Sequence, residues 1–158
     1  MKATMMVGCP GAGKSTWTTG EAVKGQVVIS RDIMREKLGY CKPGEKALLD
    51  KEGEAVITRE CDLALAQAAK DGKDVIIDDT NLNPYFRGLT VKKLRSFGYE
   101  PHFIYVETPL EDILKRRKGQ IPEEVLVRMY NQSCETKGTL EGEIGPDGFE
   151  GGIYVKGA

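Results

Sequence analysis

Eight consecutive residues, Gly8-Cys9-Pro10-Gly11-Ala12-Gly13-Lys14-Ser15, constrain this chain more than any other segment. They match the pattern G-x-x-x-x-G-K-[ST], in which glycines let backbone N–H groups converge on phosphate oxygens and the following helix adds partial positive charge at its N-terminus. The flanks agree with the motif. The apolar run Ala3 to Val7 reads as a buried strand, and Lys14-Ser15-Thr16-Trp17 opens a helix after the loop. The spacing therefore predicts an ATP site with Gly11, Ala12, Gly13, Lys14, Ser15 and Thr16 as its contacts. Lys14 is expected to reach the β- and γ-phosphates, and the Ser15 hydroxyl to serve a Mg²⁺ ion.

Three more apolar runs follow, Val27-Val28-Ile29, Val75-Ile76-Ile77 and His102 to Val106, each ending in polar residues. Helix-like stretches separate them: Glu45 to Lys70, rich in Ala and Leu, and Tyr85 to Phe97, where Asn83 suits the N-cap and Pro84 the first helical position. Two shorter helices are expected from Leu110 to Lys118 and from Pro122 to about Lys137. Unbroken β-branched runs belong to strands buried on both faces, so the pattern predicts an α/β fold, a parallel sheet of about four or five strands covered by helices on both faces. Residues 138–158 hold seven glycines in 21 positions and only Ile153-Tyr154-Val155 as a strand-like patch. They are expected to form a tail or linker after a domain of residues 1–137.

Composition narrows the partners. A length of 158 residues suits one domain, and 23 Lys and Arg against 24 Asp and Glu leave a net charge of -1. No global positive field holds a long nucleic acid, so a polyanion must be met locally. The single histidine, His102, excludes multi-histidine metal sites within the chain. Cys9, Cys41, Cys61 and Cys134 form no C-x-x-C pair, which suggests a reducing compartment. No segment approaches the roughly 18 apolar residues of a membrane helix, and a cytoplasmic location is expected.

Other residues carry chemistry. Asp78-Asp79 end the third run, where an acid would help hold the metal; alternation lets at most one face the ligand, and Asp79, leading into Thr80-Asn81, is favoured. Asp32 and Arg35 stand three apart at a helix start and share one face. A carboxylate at the carboxyl end of a parallel strand, beside the phosphate loop, is suited to take a proton from an attacking hydroxyl, and the arginine fork to hold an anionic acceptor. The same spacing also suits Asp32 as a helix N-cap with Arg35 solvated or paired at i,i+3. Lys115-Arg116-Arg117-Lys118, followed by Gly119, reads as a basic lid over the transferring phosphoryl group or as cations complementing a helix C-terminus. Cys9 reads as a variable loop position and not as a nucleophile.

Taken together, Gly8 to Trp17, Arg31-Asp32 with Arg35, and Asp79-Thr80-Asn81-Leu82-Asn83-Pro84 resemble in order and spacing the 5′-kinase domain of phage-type polynucleotide kinases, over roughly Met1 to Asn131. The resemblance implies a P-loop kinase fold and transfer of the ATP γ-phosphate to 5′-OH ends of DNA or RNA, in the setting of nucleic acid repair. It implies Asp32 as general base and Arg35 as the contact for the acceptor's 3′-phosphate. Asp79 becomes the third-strand acid, beside Thr80 and Asn81 on the substrate side. Arg116 becomes the first lid arginine, and either Arg117 or Lys118 the second. Only terminal nucleotides would enter a local cationic pocket, as a neutral protein requires. The D-x-D-x-T signature of the 3′-phosphatase often fused to this family has no counterpart in these residues, so kinase activity without it is expected. Two rivals stay open, a small-molecule P-loop kinase and a non-catalytic ATP-binding module.

Overall fold

The computed structural model describes residues 1–21, 25–43 and 49–154 of the chain. In order, the elements are β1 (Lys2–Val7), α1 (Lys14–Glu21), β2 (Val27–Ile29), α2 (Arg31–Lys37), α3 (Lys51–Lys70), β3 (Val75–Ile77), α4 (Pro84–Ser96), β4 (Glu100–Val106), α5 (Leu110–Arg116), α6 (Glu123–Ile144), a 3₁₀ turn (Pro146–Gly148) and β5 (Phe149–Ile153). The strands make one five-stranded sheet in the order β2-β3-β1-β4-β5, and every neighbouring pair is parallel. This is the expected α/β architecture.

β1 sits at the centre, with Met5 level with Ile77 on one side and Phe103 on the other. Five consecutive residues of β1 and all three of β3 are buried, so both faces of the sheet are covered. That is why the apolar runs do not alternate. Leu65 of α3, Leu94 of α4, Ile113 of α5, and Leu126 and Leu140 of α6 complete the core. A parallel sheet wound this way places every strand's carboxyl end on one edge, where the loops that can hold a ligand collect. Among the described residues no helix is long and apolar enough to cross a membrane, and no disulfide joins any of the four cysteines.

Helix starts follow their caps. Asn83 accepts from the N–H groups of Tyr85 and Phe86 with Pro84 in the first turn, as the sequence predicts. Residues 45–48 of the expected helix from Glu45 lie outside the described residues, and α3 begins at Lys51 because Asp50 caps it through Gly53 N–H at 2.7 Å.

The expected tail is corrected. α6 runs to Ile144, seven residues beyond Lys137, and residues 149–153 form the fifth strand, beside β4; Val155 lies outside the described residues. Glycine count hid an apolar stripe, for Ser133, Thr136 and Leu140 are buried at helical spacing and Ile144 packs beside them. Gly138 and Gly142 face open space, where each costs about 1 kcal/mol in a helix. Burial of Leu140 alone returns roughly 1.5–3 kcal/mol. The helix stops at Gly145, whose φ of 89° is a left-handed value that glycine tolerates.

Candidate active site

The glycine-rich octet spans β1 to α1 at the carboxyl edge of the sheet. Gly11 and Gly13 take φ of 85° and 102°, and a side chain at Gly8 would begin 3.1 Å from the Val106 carbonyl. The loop is braced from outside: buried Thr108, just past β4, donates to the Ala12 carbonyl at 2.8 Å. Lys14 arches over it and donates from Nζ to the Cys9 carbonyl at 2.9 Å. Ala12, expected among the phosphate contacts, is instead 1% exposed, with its N–H turned into the loop to Cys9 O at 3.1 Å. Burial pushes the Cys9 thiol up, against a nucleophilic role.

Two cavities meet here. One of about 250 Å³ is lined by Gly11, Gly13, Lys14, Ser15 and Thr16 together with Arg116, Arg117 and Gln120. The other, about 230 Å³, is lined by Lys14, Ser15 and Arg117 again, and by Asp32, Asp78, Asp79 and Thr80. Lys14, Ser15 and Arg117 thus form the wall that both share. Arg116 donates to the Gly11 carbonyl at 2.9 Å, and Arg117 donates to Gln120 Oε1 at 3.0 Å. Of the two residues left open for the second lid position, Arg117 reaches both cavities, whereas Lys118 lines a separate groove with Leu114 and Ile121.

The preference for Asp79 over Asp78 is corrected. Asp78 is the acid that meets the loop, accepting from the Ser15 hydroxyl at 2.9 Å. Asp79 turns the other way and accepts from the N–H of Arg31 at 2.9 Å, fastening β3 to the start of α2. Alternation past Ile77 makes one of the pair face the loop and the other the neighbouring helix, but not which. Burial raises both acids, Asp79 to about 6; for Asp78 the Ser15 hydrogen bond and Lys14 work against that rise. Thr80 lines the second cavity, whereas the Asn81 amide is spent on the Met6 carbonyl at 2.7 Å with the backbone at a φ of 51°. Asn81 holds the loop against β1 and does not line the cavity.

Asp32 sits in the second cavity on the first turn of α2, with 60% of its side chain exposed. Ser30, not Asp32, caps that helix, so the N-cap reading of Asp32 falls away. Arg35 donates to Asp32 at 2.8 Å on the shared face, as expected. The fork is not free to hold an anion alone, because Glu54 of α3 takes its Nε and second amino group at 2.8 to 3.2 Å. Glu54 also accepts from Arg31 at 2.6 Å. Sequence reasoning missed Glu54, which lies 19 residues from Arg35 and reaches it only through helix packing.

Glu54 also carries a pH signature. Burial would raise its carboxyl, but hydrogen bonds from Arg31 and Arg35 outweigh that and hold it below the usual 4.5. A group lowered on folding stabilises above its unfolded value, and that stabilisation is lost as pH falls through the folded one. Urea midpoints of the parent and Glu54→Gln are therefore expected to lie furthest apart near neutral pH and to converge below about pH 4. A gap independent of pH would disprove this coupling.

Comparison with known proteins fits this geometry. A family model described as an AAA domain matches residues 4–129. A protein of Autographa californica nuclear polyhedrosis virus, described as a bifunctional polynucleotide kinase/RNA ligase, is 30% identical over 145 residues, covering 81% of this chain and 20% of that protein. A chain of the Pnkp1/Rnl/Hen1 RNA repair complex matches with a TM-score of 0.73 at 25% identity, over 87% of this chain and 45% of that one. The APS kinase CysC of Mycobacterium tuberculosis, solved with AMPPNP and APS, matches in fold with a TM-score of 0.56 at 20% identity, over 75% of this chain and 69% of that one. The chain therefore spans a fifth of the viral relative and less than half of the RNA repair chain. The sheet and its loops are those of a P-loop kinase fold.

Proposed function

Since this chain belongs to the AAA domain family and has a P-loop kinase fold, we propose that it is a polynucleotide 5′-hydroxyl kinase moving the γ-phosphate of ATP onto 5′-OH ends of DNA or RNA. One observation carries the reading: Lys14, Ser15 and Arg117 line both cavities, so a phosphate on the loop side and a hydroxyl on the Asp32 side share one wall. The names of the viral relative and of the RNA repair complex support a nucleic acid acceptor over a small molecule.

In this reading the triphosphate lies along the loop, with Lys14 and the α1 N-terminus facing its oxygens. Asp32 takes the proton of the 5′-hydroxyl as its oxygen bonds to the γ-phosphorus, and the bond from that phosphorus to the bridging oxygen breaks to leave ADP. Arg35 holds Asp32 from behind through their ion pair. Arg116 and Arg117 neutralise charge on the phosphoryl oxygens from the lid. A divalent ion fits beside Ser15. Asp78 Oδ2 and Ser15 Oγ are hard oxygen donors 2.9 Å apart, and Asp78 Oδ1 is buried with no hydrogen-bond partner among the described residues. When bound, Mg²⁺ would supply charge neutralisation at the β- and γ-phosphates.

The test uses γ-labelled ATP with 5′-OH DNA, 5′-OH RNA and small hydroxyl acceptors, with and without Mg²⁺. Label is expected on the polynucleotide 5′ end and only with the ion present. Asp32→Ala is expected to lower kcat about 10²- to 10⁴-fold with KM for ATP little changed. Full turnover by that variant removes Asp32 as base, and label confined to a small acceptor removes the polynucleotide.

A further inference from the structure

An exposed aromatic pair stands at the start of α4, a few residues past Thr80 of the acceptor cavity. Tyr85 and Phe86, in the first turn of α4, are 68% and 63% exposed, and their rings meet edge to face with centroids 5.4 Å apart. Leu89, one turn on, is also exposed. We infer that Tyr85 and Phe86 form a stacking platform for the nucleobases of the acceptor strand that follow its 5′-terminal nucleotide. The inference rests on the kinase reading above and adds to it a contact that distinguishes a polynucleotide from a mononucleotide.

Topology puts the pair in the right place. α4 returns from the carboxyl end of β3, so its first turn lies on the sheet edge where the acceptor cavity opens. Thr80 lines that cavity, and Tyr85 follows it by five residues, within about 18 Å even for a fully extended chain. The connection is also stiff. Thr80 O accepts from Gly8 N–H at 3.1 Å, the Asn81 amide is pinned to Met6 O, and Arg87 donates to Asn81 O at 2.9 Å. Asn83 Oδ1 takes the N–H groups of Tyr85 and Phe86 at 3.0 and 3.1 Å. The rings therefore ride on a frame fastened to the phosphate loop.

Charge agrees with a nucleic acid. No acidic residue occupies the first turn of α4, whose N-terminus carries partial positive charge, so an incoming phosphodiester meets no repulsion there. The neighbouring cation, Arg87, is buried and paired with Glu143, so affinity must come from ring faces rather than phosphate capture. Base-on-aromatic stacking supplies that without sequence preference and suits a chain of net charge -1.

The experiment compares the parent with Tyr85→Ala/Phe86→Ala on three acceptors: a nucleoside 3′-phosphate, a 5′-OH hexanucleotide, and the same hexanucleotide abasic beyond its first nucleotide. The double variant is expected to raise KM for the hexanucleotide about 10- to 100-fold while kcat, KM for ATP and KM for the nucleoside 3′-phosphate stay within about twofold. The abasic strand should cost the parent the same factor and the variant nothing. Tyr85→Phe/Phe86→Tyr, which keeps both rings, should restore the parent KM. Equal effects on long and short acceptors, or none, would overturn the platform. So would a variant whose only change is altered self-association, the mark of a protein-docking patch. Anisotropy of a labelled 5′-OH hexanucleotide keeps the two readings apart. If no end is phosphorylated but the parent binds the strand at least tenfold tighter than the variant, the kinase reading fails and the platform stands; equal binding removes the platform.

Discussion

Replacing Arg117 by alanine is expected to lower phosphoryl transfer about 10³- to 10⁵-fold, the range for an arginine that neutralises a transferring phosphoryl group. Arg117 lines both the phosphate-loop cavity and the cavity of Asp32, so its side chain borders both halves of the proposed transfer path. Its partner, Gln120, is neutral, and among the described residues no carboxylate pairs with its charge. KM for ATP should move little, because Lys14 and Arg116 remain on the loop side. Arg117→Lys is expected to recover only part of the rate, since an ammonium supplies a point charge without the planar fork. Single-turnover rates at saturating ATP read the effect directly. A loss of less than about tenfold would shift the role to Arg116.

The second large effect concerns stability. Arg87 is 2% exposed and donates through Nε and a terminal amino group to Glu143, both at 2.9 Å. Among the described residues, Glu143→Ala leaves that guanidinium with only the Asn81 carbonyl. Removing one partner of a fully buried pair costs roughly 3–5 kcal/mol. Glu143 keeps 31% of its side chain in solvent, so water offsets part of this, and a loss of about 2–4 kcal/mol is expected from urea unfolding. The double change Arg87→Met with Glu143→Leu should regain most of it, because no unpaired charge is then buried. If Glu143→Ala unfolds within about 0.5 kcal/mol of the parent, the pair contributes little to stability.

What could be read from the chain beforehand divides along a physical line. The phosphate loop and the start of α4 were legible because their determinants are local: an octet of fixed spacing, and Asn83 directly before Pro84. The parallel sheet was legible because Val75-Ile76-Ile77 and its fellows are apolar without alternation. Glu54 was invisible, since nothing near it hints that it will clamp two arginines of another helix. Asp78 and Asp79 carry the same chemistry in neighbouring positions, and only the tertiary placement of the phosphate loop beside the end of β3 decides which of them Ser15 meets. The carboxyl-terminal segment was misread because glycine content masked Leu140 and Ile144, whose burial depends on a surface built much earlier in the chain.

That last segment also sets a timetable. Arg87 leaves the ribosome 56 residues ahead of the carboxylate that balances it, and β5 follows later still. Until Glu143 emerges, closing α4 over the core would strand a lone guanidinium away from water. The nascent chain therefore has reason to keep α4 undocked until α6 arrives.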